Sequence, residues 1–366
     1  MTNEHSGVGR LSRREAIGLV GAAGLGIAAA VKEQVASAQA PAQGPVAPWA
    51  LSSSAPGIPS WNTELKQLAP NVYAYIQAGG LGKPNMSNAA LIVGPDSMMA
   101  IDTLTAPLLT KAFIAAAKKA GGGKPITHVI DTHHHGDHIA GNQFFLPTEL
   151  VSHEYCRDEV AKQAAAVPPG SKFAKREGFA DGTEERKIAV PTTAFNDKLV
   201  YNVGNILVEW MFLDPAHTWG DIVAYLPKEK ILFAGDVFFN YITPWGQSAH
   251  ISKWIEVCDR INKMDVETIV PGHGPVGNKK ELAQMAEYYV FLKGEVKKRY
   301  AAGMTPGKAA AEIKMTKWQN WIVPEQLLRN VVRLYAEFNS TLVPDVMDDA
   351  NSKATAEYNA LLRPTA

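Results

Sequence analysis

The sequence is poor in cysteine and carries no net charge. Only Cys156 and Cys258 occur among 366 residues, a spacing that fits neither a disulfide framework nor a zinc ribbon. We therefore expect both to be ordinary buried thiols. Lysine plus arginine equals aspartate plus glutamate, 36 residues each, so no bulk electrostatic field attracts the chain to nucleic acid or to an anionic membrane.

A long apolar run is missing as well. The uncharged stretch at residues 16–31 has sixteen residues. As a helix it would cover about 24 Å, short of the ~30 Å hydrocarbon core of a bilayer. It follows Arg13 and Arg14 and leads to Ala-Gln-Ala at 38–40, an A-x-A cleavage pattern. Residues 1–40 thus resemble a bacterial twin-arginine signal peptide. This predicts export to the periplasm by the twin-arginine translocase, without a stable membrane span.

The sequence pattern of the chain changes near residue 65. Five prolines fall within residues 41–60, so 41–64 is predicted to be an extended leader. Beyond it, short apolar runs split by Gly, Pro and Asp predict strands, and longer periodic stretches predict helices. We place a catalytic domain at 65–295 and a helical C-terminal extension at 296–366.

The order of these elements indicates the fold class. Strands are predicted at 71–78, 88–94 and 97–103, and a helix at 106–120 that stops at three glycines. The same alternation returns in the second half. Two similar strand–helix halves, without a recognisable dinucleotide-binding loop, predict a layered α/β domain with helices outside paired sheets.

Four of the ten histidines lie within six positions, in the run His133-His-His-Gly-Asp-His138. At the end of a strand, His133 and His135 alternate and therefore point the same way, so both imidazoles can reach one ion. Asp137 and His138 follow a turn at Gly136 and can face a second ion. By itself, such a cluster could also be a polar surface loop.

Three further polar residues favour a metal site over a loop. His217, Asp236 and His273 each close an apolar strand and are flanked by Gly or Pro, which lets backbone and ion approach closely. Imidazole and carboxylate suit zinc but also iron and manganese, so the ligands leave the metal open.

In order, these sequences read His-x-His-x-Asp-His, a His before Thr-x-Gly-Asp, Gly-Asp, and Pro-Gly-His-Gly. The set resembles the metallo-β-lactamase-fold hydrolases over about residues 65–295. The resemblance implies a four-layer αβ/βα sandwich, here with a C-terminal helical extension, and two divalent metal ions, of which zinc is favoured. It assigns the ligands by position: His133, His135 and His217 to one ion, Asp137, His138 and His273 to the second, and Asp236 to both.

Asp236 also indicates which branch of the metallo-β-lactamase-fold hydrolases the chain resembles. The lactamase branches resemble this chain in their histidines but usually have Cys or Ser at that position. A bridging aspartate resembles the glyoxalase-II, lactonase and sulfur-oxidation-associated hydrolases instead. Together with the N-terminal signal, the resemblance implies an exported dinuclear hydrolase that attacks an ester, thioester, lactone or related carboxyl-derivative bond. Two divalent ions would supply metal-bound hydroxide, and Asp137 is the expected catalytic proton carrier.

Other functions stay open at this stage. A β-lactamase-type amide hydrolase, a mononuclear-iron persulfide dioxygenase and a metal-binding protein without turnover all fit parts of the pattern. No Gly-x-Ser-x-Gly sequence occurs, which argues against a serine hydrolase. We expect a small-molecule substrate. The C-terminal helices could cover the cleft or form a homodimer.

Several residues near the motifs are assigned no ligand role. His134 occupies a variable position of the motif, and His128, His153 and His250 are predicted to be structural, with His250 as the most plausible exception. The aromatic residues of 236–245 and Trp219 could either form an apolar wall for the substrate or pack beneath the metal loops.

Overall fold

The computed structural model describes residues 56–83, 85–173, 182–344 and 346–362. The predicted signal peptide lies outside these residues, as does most of the proline-rich leader. In the described part of the chain, no helix combines the length and the apolar character that crossing a membrane requires.

The first sheet has seven strands in chain order. Strands β1 to β4 pair antiparallel, and β4 to β7 pair parallel. Their bounds are β1 Glu64–Ala69, β2 Val72–Ile76, β3 Ala89–Val93, β4 Met98–Ile101, β5 Ile126–Asp131, β6 Glu149–His153 and β7 Thr193–Phe195.

The second sheet has five strands in the order β12-β11-β10-β9-β8. Its members are antiparallel except for the parallel pair of β11 and β12. The bounds are β8 Lys198–Val203, β9 Ile206–Phe212, β10 Ile222–Leu226, β11 Ile231–Phe239 and β12 Thr268–His273.

The helices cover the outer faces of both sheets. Their bounds are α1 Pro107–Ala120, α2 Gly136–Ile139, α3 Glu154–Ala165, α4 Ile251–Lys263, α5 Lys279–Ala301, α6 Pro306–Glu312, α7 Leu327–Phe338 and α8 Asp348–Leu362. Helix α1 packs on the first sheet, whereas α4, α5 and α7 pack on the second.

Strand β3 shows why four layers form. All five of its residues are buried, because successive side chains point to opposite faces and both faces are covered. Ile92 packs between the sheets with Trp210 of β9, whereas Leu91 packs against Phe113 of α1. The predicted four-layer αβ/βα sandwich with C-terminal helices is therefore confirmed.

Most of the predicted elements are confirmed, with small shifts at their ends. The helix expected at 106–120 begins at Pro107, which suits the first helical turn because the missing N–H would be unpaired there. The boundary placed at residue 295 falls inside α5. Cys156 and Cys258 are both free and buried, as predicted.

Candidate metal centre

All seven predicted ligand residues meet at one edge of the sandwich. His133, His135, Asp137 and His138 follow the end of β5 and include the first residues of the short helix α2. Asp236 lies within β11, and His273 ends β12. Parallel pairing of β11 with β12 places Gly235 opposite Pro271, so the two ligands come from neighbouring strands. Loop residue His217 completes the set.

The first group contains His133, His135, His217 and Asp236, all buried. Their ligand atoms lie within 4.8 Å of one another. The Nδ1 atom of His135 is 2.8 Å from Nε2 of His217, which in turn is 3.1 Å from Oδ2 of Asp236. These atoms converge on one point, as tetrahedral zinc or iron ligation requires.

The second group contains Asp137, His138 and His273. The Nε2 atoms of His138 and His273 are 3.3 Å apart, and that of His273 lies 3.1 Å from Oδ2 of Asp137. Asp137 has a side chain that is 17% exposed, whereas the two histidines are buried. The second group is therefore the more open side of the centre.

Asp236 lies between the two groups and turns one oxygen to each. Its Oδ2 faces His217, and its Oδ1 is 3.1 Å from Nε2 of His138 and 3.5 Å from Nε2 of His273. Gly272 permits this position, because a Cβ at that residue would lie 1.9 Å from Oδ1 of Asp236. A carboxylate with one oxygen directed at each group has the geometry of a bridging ligand.

The free lone pairs test whether the residues fit metal ions. Within the described part of the chain, Nε2 of His133 is buried and has no hydrogen-bond partner. A buried polar atom without a partner costs roughly 1–3 kcal/mol, and a ligated ion removes that cost. The donor set therefore fits divalent metal binding.

Asp102 is a residue of the site that the sequence did not reveal. It directly follows the last residue of β4 and has a positive φ of 57°. Its carboxylate accepts hydrogen bonds from N and Oγ1 of Thr132, both at 2.8 Å. It also accepts one from Nδ1 of His138 at 2.7 Å. The proton is thus held at Nδ1, and Nε2 of His138 is left free for a metal. An aspartate closing the strand beside β5 was the available signal.

The Thr-x-Gly-Asp motif closes the loop that carries His217. Asp221 accepts hydrogen bonds from N of Thr218 at 2.8 Å and from its Oγ1 at 2.5 Å. Nδ1 of His217 donates to the backbone oxygen of Trp245 at 2.7 Å, which leaves Nε2 for the first group.

Charges set the protonation of the two groups differently. Burial lowers the pKa of His133 and of His135 well below the usual value, so both are neutral and ready to bind a metal. Burial also opposes the charged forms of His138 and His273, but the neighbouring carboxylates together outweigh it. Asp236 and Asp137 act on both imidazoles, and Asp102 acts on His138. The pKa of His138 is thereby raised well above its usual value and that of His273 to about 9. Without metal, protons occupy the second group.

This difference predicts that affinity for the second ion depends on pH. Metal binding displaces a proton from His273 below pH 9, so affinity should rise roughly tenfold per pH unit for each proton displaced between pH 7 and 9. The metal-free protein should behave oppositely. Because the pKa of His273 is higher in the folded than in the unfolded protein, its protonated form stabilises the metal-free fold. This stabilisation is complete below pH 6.5 and is lost as the pH rises through about 9. Chelator competition and thermal melts measure both trends; equal pH slopes for the two ions would contradict the assignment.

The histidines assigned no ligand role lie outside both groups. His153 caps α3, accepting a hydrogen bond from N of Tyr155, and His128 lies 3.4 Å from Glu149. His250 lies 3.5 Å from Glu337 of α7 and lines a surface cavity of about 440 Å³ with Trp219. His134 is buried, with its ring centre 4.6 Å from that of His135.

The aromatic residues after Asp236 pack beneath the centre. Phe239 is 1% exposed, and its ring stacks on that of His273 at 5.2 Å with an angle of 2°. The ring of Trp245 also stacks on His273, at 6.3 Å. Of the two interpretations left open by the sequence, the structure favours packing over a substrate wall for these residues.

Comparisons with known proteins agree with this geometry. The chain is 22% identical to a linear primary-alkylsulfatase of Pseudomonas sp. over 264 residues, 62% of this chain and 49% of that protein. It is 26% identical to an acyl-coenzyme A thioesterase of Homo sapiens over 63% of this chain and 87% of that protein. A type 2 metallo-β-lactamase of Bacteroides fragilis is 24% identical over 58% and 80%.

The match covers only about half the length of the first curated relatives, 49% of the alkylsulfatase and 51% of a 2,4-dinitroanisole O-demethylase subunit from Nocardioides sp.. Among solved structures, a sec-alkylsulfatase of Pseudomonas sp. superimposes with a TM-score of 0.56 at 18% identity, over 75% of this chain and 50% of that one. A metallo-β-lactamase from Pontibacter korlensis gives 0.51 at 19% identity, over 62% and 99%. Both share the fold.

A family model decides the assignment. The model described as the metallo-β-lactamase superfamily matches residues 82–273, more than half of the chain and a span that contains all seven residues of the two groups. The chain belongs to the metallo-β-lactamase superfamily.

Proposed function

We propose that this protein is an exported, dinuclear metal-dependent hydrolase that cleaves an ester, thioester, lactone or related carboxyl-derivative bond. The observation that carries the proposal is the carboxylate of Asp236, whose two oxygens face two separate ligand groups. His133, His135 and His217 would hold one ion, and Asp137, His138 and His273 the other. Zinc suits these donors best, although iron and manganese share them.

Bound ions would lower the pKa of a water toward neutrality and polarise the bond under attack. The chain's own residues supply position and proton transfer. Asp102 fixes the orientation of His138, and the backbone oxygen of Trp245 fixes that of His217. Burial raises the pKa of Asp137, but the charges of His138 and His273 outweigh it and hold the pKa below its usual value. The Asp137 carboxylate is therefore ionised at neutral pH and can accept a proton and deliver it to the leaving group.

Two observations favour hydrolysis over the mononuclear iron dioxygenase. The second group is complete, and it is the more open side of the centre. An enzyme that used one ion would not need three further buried or half-buried ligands beside it. The names of the relatives, an alkylsulfatase, a thioesterase and a lactamase, support hydrolysis but leave the bond open.

A substrate panel on the zinc-loaded protein, run in ¹⁸O-labelled water, tests the proposal. The panel contains a thioester, a lactone, an aryl ester, a cephalosporin and a primary alkyl sulfate. We expect turnover of a carboxyl derivative, with one labelled oxygen in the new carboxylate after a single turnover, because the attacking oxygen comes from water. A chelator should abolish turnover, and zinc or manganese should restore it.

Each other outcome overturns part of the proposal. Turnover of the alkyl sulfate alone would identify a sulfatase, and turnover of the cephalosporin alone a lactamase. Consumption of O₂ without incorporation of label from water would identify the dioxygenase, especially with one iron per chain.

Export is the part of the proposal that rests on the N-terminus. Replacing Arg13 and Arg14 with lysine should retain the precursor in the cytoplasm, because paired arginines address the twin-arginine route. The wild-type mature chain should begin at Pro41, after the A-x-A pattern. Cell fractionation and the mass of the recovered protein measure both; unchanged periplasmic delivery of the double-lysine variant would contradict the twin-arginine route.

A further inference from the structure

One face of helix α7 binds the loop that leads from β11 to α4. Asn330 donates a hydrogen bond from Nδ2 to the backbone oxygen of Pro244 at 3.0 Å. Arg333 donates from Nε to the backbone oxygen of Ala249 at 2.8 Å. Both side chains are 0% exposed. Their spacing of three residues places them on the same side of a helix, so α7 holds the loop at two points.

The loop between those points has little structure of its own. Residues 243–246 are neither helix nor strand, and the backbone bond from Ala249 to Gly246 closes a single turn. Gly246 lies against Asn330, since a Cβ there would be 2.2 Å from Oδ1 of that side chain. The backbone bond from Thr243 to Ile322 adds a third attachment to the C-terminal region. The conformation of the loop therefore depends on the extension.

The same loop touches both metal groups through Trp245. Its backbone oxygen accepts the Nδ1 proton of His217, and its ring stacks on His273. Pro244, whose oxygen is held by Asn330, is the residue next to it in the chain. If the peptide between Pro244 and Trp245 moved, the backbone oxygen of Trp245 would turn away from His217. The imidazole of His217 would then no longer be fixed in its tautomer and orientation.

We propose that Asn330 and Arg333 are positioning residues that act through the Trp245 carbonyl to aim Nε2 of His217 at the first metal ion. The inference rests on the proposed metal site and deepens it. Both residues lie in the C-terminal helical region, beyond the residues 82–273 that the family model matches. The C-terminal extension therefore positions a metal ligand, in addition to packing on the second sheet.

Asn330→Ala tests this against Tyr335→Phe as the matched control. Tyr335 lies on the same helix, and its hydroxyl donates to the backbone oxygen of Met304 at 2.8 Å, away from the loop. Two measurements separate positioning from stability. One is the affinity of each ion, by competition with a chromophoric chelator. The other is solvent exchange of the histidine N–H protons in the cobalt-substituted protein, followed by NMR.

We expect Asn330→Ala to weaken the first ion by about 10–100-fold, the size typical of losing an outer hydrogen-bonding partner of a ligand. The Nδ1 proton of His217 should exchange faster, while that of His138, held by Asp102, should not change. Tyr335→Phe should leave both readouts at wild-type values.

Equal affinity losses in the two variants would assign the effect to general stability and overturn the proposal, as would unchanged affinity and exchange in Asn330→Ala. If Asn330→Ala does not fold, Arg333→Lys serves instead. It removes the Nε donor to the backbone oxygen of Ala249 but keeps the positive charge. It should weaken the first ion in the same direction, and no shift would overturn the proposal. A wild-type protein that binds only one ion would contradict the dinuclear function but leave this comparison intact.

Discussion

Replacing Asp236 with asparagine should remove one of the two metal ions that we propose and reduce hydrolysis by more than about 100-fold. Loss of an outer partner already costs about 10–100-fold in metal affinity or activity, and Asp236 contacts both groups directly. An amide offers one neutral oxygen where the carboxylate offers two charged ones. The two ligand groups therefore no longer share a ligand, and the proposed ions lose the negative charge between them.

Metal content by mass spectrometry and turnover of the best substrate measure the effect. Asp131→Asn is the matched control, because Asp131 is also fully buried and close to the cluster but belongs to neither group. An asparagine at this position keeps a side-chain oxygen that can accept the hydrogen bond from Nδ2 of Asn142, and burial already disfavours the charged form of Asp131, so the change should be mild. Two ions retained in Asp236→Asn, at wild-type affinity, would falsify the bridging assignment.

The same substitution should also change the protons of the metal-free protein. The charge of Asp236 counters burial and raises the pKa of His138 and His273. Without it, burial is countered less strongly, so both imidazoles should become neutral at lower pH. The loss of stability that we expect between pH 6.5 and about 9 in the metal-free wild type should therefore shrink in the variant.

The ligands were predictable from sequence because most of them lie at or just after strand ends, although Asp236 lies within β11 and His217 in a loop. Seven residues in four short motifs have the spacing that strand ends and tight turns impose, and the structure brings all seven together. The layered fold was predictable for a related reason. Runs such as β3 are apolar at every position because helices cover one face and a second sheet the other.

The residues around the ligands were not predictable in this way. Asp102 is 31 positions from the first histidine of the cluster, and only the pairing of β4 with β5 brings it to Thr132 and His138. Trp245 acts through its backbone oxygen, which carries no sequence signal at all. Asn330 and Arg333 lie within an amphipathic helix pattern, where polar residues are expected to face solvent; here they are fully buried.

Asp137→Asn is the second substitution with a large expected effect, and it separates two roles of one carboxylate. As a ligand, Asp137 lies 3.1 Å from Nε2 of His273 in the second group. As a proton carrier, it is the most exposed member of that group. Removing a positioned general acid–base group costs on the order of 10²–10⁴ in rate, so we expect a loss in this range.

Metal saturation distinguishes the two roles. If Asp137 only binds the second ion, raising zinc until both ions are bound should restore turnover in the asparagine variant. If it also carries the proton, the rate stays low at full occupancy, because the amide cannot accept a proton from the attacking water. The loss should then be smallest for a substrate with a good leaving group, such as an aryl ester, which departs without protonation. We expect this second result, since the pKa of the carboxylate is held below its usual value and its side chain is the most exposed of the second group. Full recovery at saturating zinc would assign Asp137 to metal binding alone.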